Sequence, residues 1–193
     1  MVFLGIWCHP ENWDNFNNSK NNKILDHHWS KFDKRVKDDK YLKKNYQKIL
    51  INLSKKLNKT HNINKNLRYW RIIIGPWLTY YLDSMYDRWE NLRFFFNKYK
   101  NVKKRTDYFD CGNDIFYNSN TEDFYNKARE DDLWNHKNYI RIIKFKYLKK
   151  IILKKNNNKY SSIYKNKKPE NLGRLFSLRN LLKSLFNSFD FIF

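Results

Sequence analysis

Glycine and proline are scarce in this chain, four and three residues in 193. So few glycines leave no G-x-G-x-x-G and no G-x-x-x-x-G-K-[ST] run, which excludes the common backbone cradles for phosphate. The nucleophile elbow G-x-S-x-G is missing as well. The two cysteines, Cys8 and Cys111, have no C-x-x-C spacing, so a disulfide framework is excluded and a reducing, cytoplasmic setting is expected. Cys8-His9, His27-His28 and Cys111 offer no spacing that predicts a tetrahedral centre, and neither a metal nor a cofactor is expected. No apolar run reaches the roughly 18 residues of a spanning helix. The opening Met1 to Trp7 lacks a basic n-region and meets His9, Pro10 and Glu11 at once, unlike a signal peptide. Negative charge is also short: 19 Asp and Glu stand against 40 Lys and Arg, a net charge of +21.

Aromatic residues are abundant at 19%, within a hydrophobic fraction of 41%, so the chain can bury a core and fold. The positive charge suits nucleic acid or an anionic membrane surface. It also suits compositional drift, because Lys, Asn, Ile, Tyr and Phe are all abundant and all favoured by AT-rich codons. The lysines run from Lys20 to Lys183 without an RGG or RS signature, which makes nucleic acid the weaker partner.

Val2 to Trp7 reads as a buried opening strand, and Asn12 to Lys23 as a polar loop. Leu42, Tyr46, Ile49, Leu50, Leu53 and Leu57 recur at three- and four-residue steps, predicting an amphipathic helix over Lys40 to Asn58. Within Leu67 to Lys98, Gly75-Pro76 predicts an interruption, with proline in the first turn of a new helix. Leu78, Leu82, Met85, Trp89, Leu92 and Phe96 then form one buried stripe. Lys100 to Asn120 reads as a loop. Thr121, Glu122 and Asp123 open a helix that runs past Trp134 toward Lys150, although Ile143 to Leu148 also fits a strand. Three parts follow: a domain over 1–155, a polar linker over 156–170 and a basic amphipathic segment over 171–193.

Two clusters could carry chemistry. Arg68, Arg71, Asp83, Asp87 and Arg88 sit among rings and aliphatics, where charges must be paired. They either fix helix packing or meet an anionic or carbohydrate ligand beside Trp and Tyr faces. Asp131, Asp132 and His136 place carboxylates beside an imidazole, either an acid–base group or a solvated turn with a packed histidine.

Phe3-Leu-Gly-Ile-Trp-Cys8, His28-Trp29, Tyr41 to Leu57, Leu67-Arg-Tyr-Trp-Arg-Ile-Ile-Ile-Gly-Pro-Trp-Leu78, Tyr86-Asp-Arg88 and Asp132-Leu-Trp-Asn-His136 follow in this order. Their order and spacing resemble the N-terminal part of a transferase family found in O-antigen, lipopolysaccharide and surface-polysaccharide gene clusters. The likeness covers most of residues 2 to 140 and nothing after Lys144. It implies an α/β, predominantly helical chain, the partial Rossmann-like N-terminal half of a GT-B-like glycosyltransferase. It further implies a nucleotide-sugar donor, a glycan acceptor and cytoplasmic work, peripheral to the inner membrane at most. Arg68, Trp70, Arg71, Gly75, Pro76, Trp77, Tyr86, Asp87, Arg88, Asn135 and His136 match the motif positions, as substrate-binding or framework residues. His136 and Asp132 are the candidate bases. Members of that family are longer and hold the donor mainly in their second half. A truncated gene, a split enzyme with a second chain, or a repurposed domain inactive alone are the expectations for this chain.

Overall fold

The computed structural model describes residues 2–4, 23–101, 104–109, 116 and 118–156. Within them lie four α-helices and two separate pairs of parallel strands, a predominantly helical α/β arrangement. Strand β1 (Val2–Phe3) pairs with β2 (Lys23–Ile24), and Leu25 N–H donates to the Phe3 carbonyl at 2.9 Å. Helix α1 (Phe32–His61) and helix α2 (Leu67–Lys98) form a long hairpin. Strand β3 (Arg105–Phe109) leads into α3 (Thr121–Glu130) and α4 (Asp132–Ile142), and β4 (Ile152–Asn156) returns parallel to β3. That connection is a crossover of the βαβ kind, since parallel strands cannot be joined by a tight turn.

The hairpin is stitched at its turn by asparagines. Asn62 closes α1 in the left-handed region at φ 52, which asparagine tolerates. Asn58 donates to the Lys65 carbonyl (2.8 Å) and accepts from Lys65 N–H (3.1 Å) and Trp70 Nε1–H (2.8 Å). Asn66 caps α2 by accepting from Tyr69 N–H at 2.9 Å. Between the helices Leu50, Leu78 and Leu92 are almost fully buried, and Phe96 stacks on Tyr147 at 4.1 Å.

Helix α1 contains the expected Lys40 to Asn58 stretch but starts eight residues earlier, at Phe32. The expected interruption at Gly75-Pro76 is absent: α2 runs through, with Pro76 inside it. Pro76 has no N–H for the Ile72 carbonyl, a loss the helix tolerates because Trp70, Leu78 and Tyr81 on either side are locked in the core. Gly75 lets the Tyr46 hydroxyl approach, as a Cβ there would lie 2.7 Å from that oxygen.

The expected loop over Lys100 to Asn120 contains β3, whose Thr, Tyr and Phe suit a half-buried strand once β4 lies beside them. The helix expected from Thr121 toward Lys150 opens at Thr121, with Asn120 as the cap, accepting from Asp123 N–H at 2.8 Å. It then breaks at Asp131, which caps α4 by accepting from Leu133 and Trp134 N–H. Ile143–Tyr147, which also fitted a strand, forms a π-helical turn. Asn156, expected to begin the linker, ends β4. The rest of the linker, the 171–193 segment, and Cys8, His9, Cys111 and Gly112 lie outside the described residues. Among those described, no helix is long and apolar enough to cross a membrane.

Candidate functional site

The loop between β2 and α1 folds onto α2 and brings two distant motifs to one carboxylate. His27 Nε2 lies 2.9 Å and His28 Nε2 3.0 Å from the same oxygen, Oδ1 of Asp87. The other oxygen, Oδ2, accepts from Arg88 Nη1 at 2.9 Å. The two imidazoles stack at 4.7 Å. Burial alone would raise the pKa of Asp87; the hydrogen bonds from His27 and His28 and the charge of Arg88 reverse that and hold it well below the usual carboxylate range.

A second carboxylate pair adjoins it. Asp38 Oδ2 accepts from Trp29 Nε1–H at 2.8 Å and from Lys34 Nζ at 2.6 Å. Lys34 also reaches Glu90 Oε2 at 2.8 Å, and Arg93 pairs with Glu90 from the other side. Burial raises both carboxyls, but these donors, joined by Tyr86 at Asp38, bring both below their ordinary values. Burial, with Asp38 and Glu90 nearby, pushes the Tyr86 phenol up.

Two triads in this network have metal-ligand chemistry: His27, His28 and Asp87, and His28, Asp38 and Glu90. In the second, the Lys34 ammonium already bridges both carboxylates. In the first, His27 Nδ1 accepts from Trp29 N–H at 3.1 Å. Its neutral ring therefore carries the proton on Nε2 and donates to Asp87 rather than presenting a lone pair to a cation. The arrangement is a hydrogen-bonded ionic knot. No local spacing points to it, because His27 and Asp87 are 60 positions apart; the His28-Trp29 and Tyr86-Asp-Arg88 motifs were the available signal.

Arg88 extends the knot to the junction of α3 and α4. Nε donates to Asn135 Oδ1 (3.0 Å), Nη1 to the Ser84 carbonyl (3.3 Å) and Asp87, and Nη2 to the Ala128 carbonyl (2.6 Å) and Asn135 Oδ1 (2.7 Å). A guanidinium has five N–H donors, and all five are engaged. Asn135 in turn donates to the carbonyls of Ala128 (3.1 Å) and Asp131 (3.0 Å). One residue on, His136 Nε2 accepts from Phe109 N–H at 3.0 Å and fastens α4 to β3. Burial lowers the His136 basicity, so the ring is neutral near pH 7, with its proton on Nδ1. Asp132, one helical turn earlier on the same face, is exposed at the start of α4. Partial desolvation at the helix end and the charge of the neighbouring Asp131 push its pKa up.

The sequence model of the LIC12162 family transferase matches residues 1–192. The chain belongs to that family. No curated protein and no solved structure matches it significantly. Within this LIC12162 family chain, the Arg-Tyr-Trp-Arg…Gly-Pro-Trp motif sits apart from the Asp87 knot. Arg71 and Arg88 are separated by 17 residues of one helix, about 26 Å at 1.5 Å per residue. Arg68 and Arg71 are exposed, and Arg71 Nη2 donates to Gln47 at 3.1 Å. Trp70 is buried on Asn58, Trp77 stacks on Tyr81 at 5.0 Å, and Gly75 meets Tyr46. Pro76 is exposed. Of the motif positions, the structure thus gathers Tyr86, Asp87, Arg88 and Asn135 around the middle of α2, with His136 next to Asn135 on α4, and leaves Arg68 to Trp77 toward the start of α2.

Proposed function

We propose that this chain is the acceptor-side, Rossmann-like part of a GT-B-like glycosyltransferase of surface-polysaccharide (O-antigen) synthesis, acting with a nucleotide-sugar donor and a glycan acceptor. Membership of a transferase family supports group transfer, and the parallel β3–β4 crossover supports the fold. The observation that carries the site is the placement of Asp132, exposed and with its pKa raised, one turn before neutral His136 on the same face of α4.

In this reading the acceptor hydroxyl attacks the anomeric carbon and gives its proton to the Asp132 carboxylate. The bond from that carbon to the leaving phosphate oxygen breaks, and the Nδ1–H of His136 donates a hydrogen bond to the departing oxygen. Arg88 and Asn135, fully engaged with each other and with backbone carbonyls, are positioning residues for α4. Arg68, Trp70, Arg71, Gly75, Pro76 and Trp77 form the framework of the hairpin.

The test is sugar transfer by a member of the family with measurable activity. Asp132→Asn and His136→Gln are each expected to lower kcat about 100- to 10,000-fold while the fold persists by circular dichroism. Unchanged rates in folded variants would remove both residues from the chemistry.

A further inference from the structure

Helix α1 has two unlike faces. Leu42, Ile49, Leu50, Leu53 and Leu57 are buried against α2. On the opposite side Lys37, Lys40, Lys44, Lys48, Lys55 and Lys59 follow one another at three-, four- and seven-residue steps, all exposed. They form one row about 33 Å long at 1.5 Å per residue. Between Lys37 and Lys59 the only carboxylates are Asp38, which is buried, and Asp39, which pairs with Lys43 at 2.8 Å. Among the described residues none of the six lysines has an ion-pair partner. Compositional drift predicts lysine on every solvated face. The exposed positions of α2 between Arg71 and Arg93 instead include Ile72, Ile73 and Tyr80 and no lysine or arginine.

We infer that the lysine face of α1 docks the protein on an anionic membrane surface. A straight helix presents its row of ammonium groups to one plane at once, and flexible lysine stems let every head reach it. Ile51, exposed near the middle of the row, gives an apolar tip that a lipid interface accepts. Single-stranded nucleic acid would call for rings between the cations. The nearest ring, Tyr41, leans instead toward Tyr86, with centroids 5.8 Å apart.

The test is vesicle co-sedimentation of the full chain. Phosphatidylglycerol in phosphatidylcholine should bind it, and phosphatidylcholine alone should not. Each lysine near an anionic surface contributes about fivefold in partition, so the triple variant Lys40→Gln/Lys44→Gln/Lys48→Gln should lose about a hundredfold. A control triple with the same charge change, Lys149→Gln/Lys150→Gln/Lys154→Gln, should lose less than about fivefold. Binding should also collapse as the Debye length shrinks from about 10 Å to about 3 Å with salt. Equal losses in the two triples, or equal binding to uncharged vesicles, would overturn the assignment. So would a duplex DNA or RNA affinity that exceeds vesicle binding and falls with the α1 triple.

Discussion

Asp87 is the point where the ionic knot is most exposed to a single change. In Asp87→Asn the retained Oδ1 still accepts from one histidine, but an NH2 group replaces the oxygen that accepts from Arg88 Nη1 at 2.9 Å. Two donors then face each other, and the guanidinium loses its counter-charge. The side chains of Asp87 and Arg88 are 12% and 16% exposed, so water screens the loss little. Breaking a buried pair by removing one partner costs about 3–5 kcal/mol, and the surviving acceptor brings the expectation to about 3 kcal/mol. For a chain of this size that is a Tm lowered by about 6–12 °C. Urea unfolding followed by circular dichroism measures it directly. The folded carboxyl lies below its unfolded value of about 3.9, so its contribution is fully present above that pH and fades as pH falls further. The gap between wild type and variant should therefore hold steady near neutral pH, begin to narrow as pH approaches about 4, and go on narrowing below it. A deficit under about 1 kcal/mol near pH 7, or a gap that does not change with pH, would refute the reasoning.

Other substitutions probe the remaining contacts. Arg88→Lys keeps the charge but cannot serve Asn135, Ala128 and Ser84 together, and should cost about 2–3 kcal/mol in urea unfolding. Gly75→Ala should be near neutral, its helix gain of about 1 kcal/mol offset by the contact with the Tyr46 hydroxyl. In a Tyr46→Phe background the same change should stabilise by about 0.5–1 kcal/mol, and any loss there would show that the close approach is not the constraint. The lowered basicity of His136 means stability present above about pH 6.5 is lost as pH falls through the folded value, and His136→Gln should flatten that part of the pH–stability profile.

Periodicity made the hairpin legible, because Leu42 to Leu57 and Leu78 to Phe96 bury one face each and few other structures fit such stripes. It failed where polar residues hold the structure. The first turns of α1 carry buried Asp38, held by Trp29 and Lys34, so a hydrophobic pattern begins too late. Proline at position 76 is a strong local breaker, yet tertiary packing on both sides of it decided for a continuous helix. The Asp87 and Arg88 motif positions stood out by their charges among rings, whereas the partners that explain them, His27 and the Ala128 carbonyl, lie far off in sequence. The charge count alone could not separate a scattered lysine excess from the single row on α1. That distinction required knowing which side of the helix faces the core.

The saturation of Arg88 has a mechanical meaning. Through one guanidinium, the His27–Trp29 loop, the middle of α2 and the α3–α4 break become a single cooperative unit. None of these segments can open without uncovering donors or carbonyls in the other two. Amide protons at the Trp29 turn and at the head of α4 should therefore exchange with one shared opening free energy, although more than a hundred residues separate them along the chain.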